Sequence, residues 1–315
     1  MKKTKQPLPK IVCTSAFHPE VIKRVLEPKA RVVIASSRAK LLRELRDADG
    51  LITLLADRVD ASFLAHAPKL RALGNFAVGV NNIDLKACLA RGIRVANTPG
   101  VLTRATAELT IALLFAAARR IPEGEALCRS GRWKGWAPDQ LLGQDLQGRR
   151  ALIVGRGRIG REVACLMRAI GLKVRFITRE HSPREVLLEL ARAQVLSLHL
   201  PLSNATHHWL NRNRLAALPA GAIVLNTARG PIVDEKALIQ ALRSRHLFAA
   251  GLDVFEHEPE IPASLRKLPQ VVLLPHLGSA TLETRTAMAH LVTTGVLGLL
   301  GGKRVPNEVE LQESW

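Results

Sequence analysis

The chain has 315 residues, of which 47% are hydrophobic, so it can bury a sizeable core, and its length predicts two domains. No apolar run reaches the roughly 18 residues of a membrane span, and the basic start leads into prolines rather than into the apolar core of a signal peptide. These features argue against membrane insertion and secretion, so we expect a cytoplasmic protein.

The formal net charge of +19 is the most unusual global property, and it raises the question of nucleic-acid binding. The basic residues are scattered as singles and pairs among acidic ones. Only 3% of the residues are aromatic and none is tyrosine, so few side chains are available to stack on unpaired bases. We favour a solvated basic surface that attracts an anionic substrate over a dedicated nucleic-acid site.

The four cysteines are far apart in the sequence. Cys13, Cys88, Cys128 and Cys165 lack the CxxC or Cys/His spacing that is typical of a redox pair or a zinc site. We therefore expect four unpaired thiols, most of them buried, and no metal.

Over the first hundred residues, short apolar segments alternate with segments of helical pattern. The predicted strands are residues 11–13, 32–34, 51–54, 70–73 and 93–95, and the predicted helices are residues 19–26, 40–48 and 83–91. Because parallel strands need long crossover connections, this alternation is typical of a parallel α/β domain. Residues 103–119, which are nearly all Ala, Leu, Thr and Ile, predict one long helix that is buried on most sides and links two domains.

A loop rich in Gly, Trp and Pro over residues 131–138 precedes a second α/β series. Its predicted strands are residues 151–154, 174–178, 195–200, 222–226 and 271–274. A last helix over residues 282–300 is long enough to return to the first domain. The pattern thus predicts an α/β protein with parallel sheets.

Residues 151–160 form an apolar strand that runs into a GxGxxG motif, and a helical segment follows. In this setting Gly155 permits the tight turn, Gly157 lets a pyrophosphate approach the backbone, and Gly160 lets helix and strand pack closely. The phosphate would lie at the helix N-terminus. A glycine-rich turn without a ligand is the alternative, and the order of strand, motif and helix favours dinucleotide binding.

The end of the second strand of this series predicts which nicotinamide cofactor is preferred. An Asp or Glu there would bind the ribose 2′-hydroxyl of NAD, whereas this chain has Thr178 and Arg179. A hydroxyl and a guanidinium can both bind a 2′-phosphate, which an acid would repel. We therefore expect a preference for NADPH, with NADH as a weaker cofactor. The alternative is that Arg179 is one more surface arginine.

Three polar residues, Arg229, Glu258 and His276, follow the nucleotide motif in chain order. Arg229 and His276 come closely after predicted strands, where ligands bind in open α/β sheets. Arg229 can hold the carboxylate of a keto acid and polarise its keto group. His276 can protonate the carbonyl oxygen, with Glu258 raising the pKa of the imidazole. Taken singly, these residues could instead be a surface ion pair, a loop residue and a buried structural histidine.

Together these motifs closely resemble those of the D-isomer-specific 2-hydroxyacid dehydrogenases, over residues 11–301. The resemblance implies two Rossmann-like or flavodoxin-like domains. The substrate domain would comprise residues 1–100 and 284–315, and the dinucleotide-binding domain residues 101–283. It also implies that Arg229 anchors the substrate, that His276 is the acid/base and that Glu258, which directly precedes a proline, pairs with it.

Within this family the chain looks most like glyoxylate and hydroxypyruvate reductases. Residues 75–84 resemble the loop whose backbone amides, at Val78 and Gly79 here, bind the substrate carboxylate, and Leu55 matches the pocket wall. In the subgroup's dimer loop, a Trp matching Trp136 reaches the partner's active site. Trp136 could equally well only pack in the interface of a homodimer.

The resemblance also implies a set of cofactor contacts, in which Asp253 meets the nicotinamide amide. The set is Gly155, Gly157, Arg158, Ile159, Gly160, Thr178, Arg179, Leu200, Pro201, Thr227, Ala228, Arg229, Asp253, His276 and Gly278.

Two departures from the family pattern stand out. Residues 178–201 look shorter than usual by one small helix and one strand, which removes part of the expected wall beside the adenine. Arg104 stands where the subgroup commonly has an acid, and it is assigned no role.

The leading hypothesis is an NADPH-dependent reductase of glyoxylate or hydroxypyruvate. A 3-phosphoglycerate dehydrogenase is an alternative, but the chain ends at Trp315 with no regulatory extension and Thr178 suits NAD poorly. A dinucleotide-sensing interaction protein, like the corepressors in the same family, is a second alternative. The complete Arg/Glu/His set weakens it.

Overall fold

The computed structural model describes residues 7–310, so the predicted substrate-domain residues 1–6 and 311–315 lie outside the described part. The chain divides into two compact units. The first takes the described residues up to Leu102 and those from Ala280 onward, and the second runs from Thr103 to Ser279. No helix between residues 7 and 310 is both long and apolar enough to cross a membrane.

The strands and helices have the following bounds. The strands are β1 (Lys10–Cys13), β2 (Arg31–Ile34), β3 (Gly50–Leu54), β4 (Ala72–Phe76), β5 (Arg94–Ala96), β6 (Arg150–Val154), β7 (Lys173–Ile177), β8 (Val195–Leu198), β9 (Ala222–Asn226), β10 (Leu247–Leu252) and β11 (Val271–Leu273). The helices are α1 (Pro19–Val21), which runs into a π-helical turn (Ile22–Leu26), α2 (Arg38–Leu45), α3 (Ala61–Leu64), α4 (Leu85–Ala90), α5 (Thr103–Ala118), α6 (Ile121–Arg129), α7 (Arg158–Ala169), α8 (Pro183–Leu190), α9 (Arg212–Ala217), α10 (Glu235–Arg243), α11 (Ala263–Arg266) and α12 (Leu282–Leu300).

The first unit is built on a parallel sheet of order β2-β1-β3-β4-β5. Helix α12 packs on one face of this sheet, close against β4. A Cβ on Gly74 would lie 2.6 Å from a methyl group of Val296 and 2.7 Å from one of Val292, so glycine is what lets the helix approach this strand. The last long helix of the chain therefore belongs to the first unit.

The second unit is built on a parallel sheet of order β11-β10-β9-β8-β6-β7. Its inner strands are largely apolar on both faces, whereas the edge strand β7 carries Lys173 and Arg175. In β6, Leu152 and Val154 face one buried cluster, and Ala151 and Ile153 face another. This two-sided burial is what a parallel sheet covered by helices requires, and the fold is the predicted α/β class with two parallel, Rossmann-like sheets.

Some elements differ from the expectations. Strand β10 was not predicted, because its sequence Leu-Phe-Ala-Ala-Gly-Leu has little intrinsic strand preference and is held extended between β9 and β11. The strand predicted over residues 195–200 ends at Leu198. Helix α5 is buried on most sides and exposes one stripe, formed by Arg104, Glu108, Ala112 and Phe115.

All four cysteines are free, but the expectation that most are buried was wrong. Cys13 and Cys88 are buried, and Cys128 and Cys165 are exposed on α6 and α7. Burial raises the pKa of Cys13 to about 12. It also raises the pKa of Cys88, to about 11, with a smaller contribution from Asp84. The two buried thiols therefore stay protonated and unreactive at neutral pH.

Candidate active site

The loop between β6 and α7 has the shape that a dinucleotide requires. Gly155 has a φ of +101°, and a Cβ there would clash with the carbonyl oxygen of His199. A Cβ on Gly160 would clash with the carbonyl oxygen of Gly155, whereas a Cβ on Gly157 would meet nothing within 4 Å. Two glycines are thus needed for packing. The third leaves open space at the N-terminus of α7, where the backbone can accept a phosphate.

Arg158 and Ile159 form the first turn of α7, and Leu200 and Pro201 follow β8. Leu200 is buried, and its side chain lies beside Gly155. The predicted cofactor residues of these two segments therefore gather at the carboxyl ends of β6 and β8, as open parallel sheets commonly place a ligand.

Two further charged side chains, Glu180 and Arg156, lie near the end of β7, where the predicted 2′-phosphate residues Thr178 and Arg179 follow the strand. Thr178 Oγ1 lies 3.3 Å from Glu180 Oε2, and Arg179 is exposed. Arg156, between the first two motif glycines, has its Cζ 5.6 Å from the ring centroid of Phe176 near the end of the same strand. Arg156 and Glu180 were not predicted as site residues, although Arg156 lies within the glycine motif and Glu180 lies two residues after Thr178.

The loop after β9 positions Arg229. Asn226 is buried, accepts a hydrogen bond from the amide of Ala228 at 3.0 Å, and donates one to the carbonyl of Arg229 at 2.9 Å. A Cβ on Gly230 would collide with the carbonyl group of Phe255, so the Arg229 loop lies directly against the segment that leads to Glu258. Asn226 and Gly230 were not predicted as site residues, and they fix where Arg229 lies.

Glu258 and His276 form a hydrogen-bonded pair. His276 Nδ1 lies 2.9 Å from Glu258 Oε2, and the other oxygen of Glu258 accepts the amide of Phe255 at 3.1 Å. The side chain of His276 is 26% exposed and that of Glu258 is 32% exposed, so a ligand can reach the pair while the hydrogen bond between the two residues stays in place. This pairing leaves Nε2 as the imidazole nitrogen available to a substrate.

The charges around the pair favour an ionised Glu258. Partial burial raises the pKa of Glu258, but the hydrogen bond and charge of His276, the Phe255 amide and the charge of Arg229 together hold this pKa below its ordinary value. For Arg229, burial lowers the guanidinium pKa and the charge of Glu258 opposes that shift. Arg229 and Glu258 therefore stabilise each other's charged forms.

Asp253 holds the loop that carries His276. Its two carboxylate oxygens accept the amides of Leu277 at 2.6 Å and Gly278 at 2.8 Å, and its carbonyl accepts the amide of His276 at 2.9 Å. His276 has a φ of +56°, a left-handed conformation that is unfavourable for histidine. Asp253 thus has a loop-fixing role that the sequence did not indicate. Burial raises the pKa of its carboxyl group.

The remaining predicted cofactor residue of the β9 loop is Thr227, whose hydroxyl lies 2.9 Å from the hydroxyl of Thr110 on α5. Thr106, on the same helix, donates to the carbonyl of Gly278 at 2.9 Å. Helix α5 therefore braces both loops that carry the candidate catalytic residues.

Glu256 does not pair with His276. Its side chain lies 2.7 Å from Nε2 of His208, and its amide donates to Glu235 at 2.9 Å. His207 stacks on His208. Glu258, and not Glu256, is therefore the carboxylate that pairs with His276.

The predicted substrate contacts Leu55, Val78 and Gly79 lie in the first unit, in loops that follow β3 and β4. Asn97 donates to the carbonyl of Val78 at 2.7 Å, and Asn75 donates to the carbonyl of Gly79 at 2.8 Å. Among the described residues, neither the Val78 nor the Gly79 amide donates a hydrogen bond. The loop therefore presents two free amides, which is what binding a carboxylate requires.

Trp136 lies in the loop after α6 and is 83% exposed. Arg104, which was assigned no role, forms ion pairs with Glu108 at 2.6 Å and with Glu162 of α7 at 2.9 Å. Arg104 thus links two helices of the second unit at the surface.

The chain is similar to known proteins over most of its length. Residues 111–278 match the family model of the D-isomer specific 2-hydroxyacid dehydrogenase NAD binding domain. The chain is 44% identical over 289 residues to the glyoxylate reductase of Thermococcus litoralis, covering 87% of this chain and 87% of that relative.

Two solved structures are similar over nearly the whole chain. A protein from Thermus thermophilus has a TM-score of 0.89 and 44% identity, covering 96% of this chain and 100% of that one. An NADPH-dependent glyoxylate/hydroxypyruvate reductase from Sinorhizobium meliloti, solved with NADP and malonate, has a TM-score of 0.86 and 32% identity, covering 96% of each chain.

Proposed function

Because this chain belongs to the D-isomer-specific 2-hydroxyacid dehydrogenases and is an NAD(P)-dependent enzyme of that family, we propose that it reduces glyoxylate or hydroxypyruvate to the 2-hydroxy acid. The observation that carries the proposal is the pair of His276 Nδ1 and Glu258 Oε2 at 2.9 Å, with the charge of Arg229 acting on Glu258. This set supplies a proton donor and a cation for a keto acid.

The proton step follows from the hydrogen bonding of His276. Ionised Glu258 accepts the Nδ1 hydrogen, so the Nε2 hydrogen of the imidazolium is the one given to the keto oxygen. NADPH, when bound, supplies the hydride that reaches the carbonyl carbon. The imidazole is left neutral with its hydrogen on Nδ1, and the product is the 2-hydroxy acid.

Arg229 has a complementary task in this scheme. Its guanidinium binds the substrate carboxylate and polarises the keto group, so that negative charge developing on the oxygen is stabilised. The free amides of Val78 and Gly79 are a second proposed contact for the carboxylate. Asp253 keeps the His276 loop in place and stays a proposed contact of the nicotinamide amide.

A substrate and cofactor panel tests the activity. Purified enzyme is assayed with glyoxylate, hydroxypyruvate and 3-phosphohydroxypyruvate, each with NADPH and with NADH. We expect the highest kcat/KM for one of the first two acids. A preference for the phosphorylated acid, or cofactor binding with no turnover of any of them, would contradict the proposed reaction.

The proposed preference for NADPH is supported by Thr178, Arg179 and the nearby Arg156. Arg179→Gln should lower the ratio of kcat/KM for NADPH to that for NADH by about tenfold, because one charge-assisted contact to the 2′-phosphate is lost. Arg184→Gln, at an exposed site of α8, is the matched control and should leave the ratio unchanged. A ratio that favours NADH in the unmodified enzyme would reject the preference.

We also propose that the enzyme is a homodimer. The second unit exposes five large apolar side chains around α5, α6 and the following loop: Phe115 (40%), Ile121 (52%), Trp133 (54%), Trp136 (83%) and Leu142 (62%). Exposed apolar residues at this density are typical of a protein interface. Trp136 would lie in that interface.

A further inference from the structure

A cavity of about 370 Å³ lies at the amino-terminal ends of β6, β7 and β8 in the second unit. Its charged lining residues are Arg150, Lys173, Arg175, Glu189 and Arg192. Gly155 and the Arg229 loop follow the carboxyl ends of the strands. The cavity is therefore on the opposite edge of the sheet from the candidate active site.

The cavity lies beside β7, which is the edge strand of its sheet. Between β7 and β8 the described chain forms a single short helix, α8, and no further strand pairs with β7. In the register of β6 and β7, Arg150 pairs with Lys173 and Leu152 with Arg175, so the three basic side chains project from one face of the sheet. These basic side chains lie at the amino-terminal ends of the two strands, where they line the cavity.

The four basic residues of the cavity have no acidic partner. Across residues 7–310, the side chains of Arg150, Lys173, Arg175 and Arg192 form neither an ion pair nor a hydrogen bond. The hydrogen bond from Arg150 to the side chain of Gln194 is donated by its backbone amide. Other arginines of the chain form ion pairs with carboxylates, for example Arg94 with Glu308 at 2.6 Å. Four exposed cations around one cavity, opposed by Glu189 alone, repel one another, and an anion between them would relieve that repulsion.

Protection of the sheet edge does not explain the whole arrangement. Charged residues on an edge strand prevent pairing with other chains, and Lys173 and Arg175 fit that purpose. Arg150, however, belongs to the inner strand β6, and Arg192 lies in the loop before β8. Edge protection does not need these two residues, yet they line the same cavity.

We propose that this cavity binds a small anion that carries two or more linked phosphate groups. Arginine side chains bind phosphate oxygens as forks, and a lysine adds a point charge. The volume of about 370 Å³ is that of a small-molecule site rather than of a long groove. No aromatic side chain lines the cavity, so a nucleic-acid base would find nothing to stack on.

Isothermal titration calorimetry with inorganic tripolyphosphate tests the site. The full-length enzyme is titrated in the presence of saturating NADPH, so that the nucleotide loop does not take up the probe. Arg175→Gln/Arg192→Gln should weaken binding by about tenfold or more, because two charge-assisted contacts are lost. Arg243→Gln/Arg266→Gln, which removes the same charge from exposed positions of α10 and α11, should bind as the unmodified enzyme does. Equal affinity in both double variants, or no binding to the unmodified enzyme, would overturn the proposal.

A second measurement locates the probe without any substitution. Acetylation of Lys173 by a lysine reagent, followed by mass spectrometry, should slow several-fold when tripolyphosphate is present. The exposed Lys236 and Lys267 serve as internal references and should react at unchanged rates. Unprotected Lys173 at saturating probe would place the anion elsewhere and overturn the proposal.

A single-stranded oligonucleotide distinguishes free phosphates from those of a nucleic acid. We expect it to bind more weakly than tripolyphosphate, and with equal affinity to the two double variants. Tight oligonucleotide binding that is lost only in Arg175→Gln/Arg192→Gln would overturn the assignment to a small anion.

Discussion

The ionised state of Glu258 depends on residues from three segments of the chain. His276, the Phe255 amide and Arg229 each favour its carboxylate form, and together they outweigh the effect of partial burial. The hydrogen bond that the proposed proton transfer needs at Nδ1 of His276 is therefore already present without a substrate.

Glu258 should also make stability depend on pH. Since its folded pKa lies below the ordinary value of 4.5, the carboxylate contributes stability above that value and loses this contribution as the pH falls through the folded pKa. Urea unfolding should show that Glu258→Gln is less stable than the unmodified enzyme at pH 7, by no more than about 1 kcal/mol. The difference should close below about pH 4.5.

Glu260→Gln is the matched control for this measurement, because Glu260 is exposed in the same loop. The free energy of unfolding of Glu260→Gln should differ from that of the unmodified enzyme by the same amount at pH 7 and below pH 4.5, whereas the difference for Glu258→Gln should close. A Glu258→Gln difference that stays constant from pH 7 to pH 3 would show that the carboxylate is not held by its neighbours.

Residue type and order predicted that Arg229, Glu258 and His276 act together, and the structure pairs Glu258 with His276. Their roles in keto-acid reduction stay a prediction. The residues that support them could not be predicted in this way. Asn226 and Gly230 act through backbone contacts, and Asp253 holds two amides of the His276 loop. Such contacts depend on distances across the fold, which periodicity in the sequence does not report.

At the scale of elements, the turn between β6 and α7 contains glycines that serve two different purposes, space for a ligand at Gly157 and close packing at Gly160. Gly157→Ala should change the free energy of unfolding by less than about 1 kcal/mol relative to the unmodified enzyme, because its Cβ meets open space and only the helix cap changes. It should nevertheless weaken dinucleotide binding, since the methyl group would occupy the approach of the pyrophosphate. Gly160→Ala should cost about 1–3 kcal/mol of stability, because its Cβ would clash with the Gly155 carbonyl.

Thermal unfolding and fluorescence titration with NADPH measure these two quantities on the same samples. Each glycine variant therefore serves as the control for the other. Loss of stability in Gly157→Ala, with unaltered cofactor binding, would contradict the assignment of the open space to a phosphate.

Elements with a strong apolar pattern were predictable, and α12 has the bounds that the sequence indicates. Strand β10 was missed because alanine and glycine favour extended structure only when neighbouring strands impose it. The sequence did not indicate what lies beside β7. In the structure β7 is the edge strand of its sheet, and a basic cavity lies at the amino-terminal ends of β6, β7 and β8.

At the scale of the whole molecule, the net charge of +19 comes from basic residues of two kinds, those that pair with acidic side chains and those that do not. Several arginines bind carboxylates, while the four cations of the cavity beside β7 do not. A basic surface raises the local concentration of small anions such as keto acids. The charge thus fits an enzyme of anionic substrates.

The apolar surface of the second unit should control assembly. Trp133→Ser/Trp136→Ser should shift the mass in sedimentation velocity from a dimer to a monomer, because both side chains are more than half exposed in the isolated chain. Leu187→Ser/Leu188→Ser, which changes two exposed leucines of α8, should leave the mass unchanged. A monomeric unmodified enzyme, or a tryptophan variant that stays dimeric, would contradict the proposed interface.

The assignment of His276 as proton donor is tested most directly by the turnover of His276→Ala with glyoxylate and NADPH. His257→Ala, at an exposed position near Glu258, is the control. The account predicts that kcat of His276→Ala falls by a factor on the order of 10² to 10⁴, with little change in the Kd of NADPH, while His257→Ala keeps its activity. Turnover of His276→Ala close to that of the unmodified enzyme would contradict it.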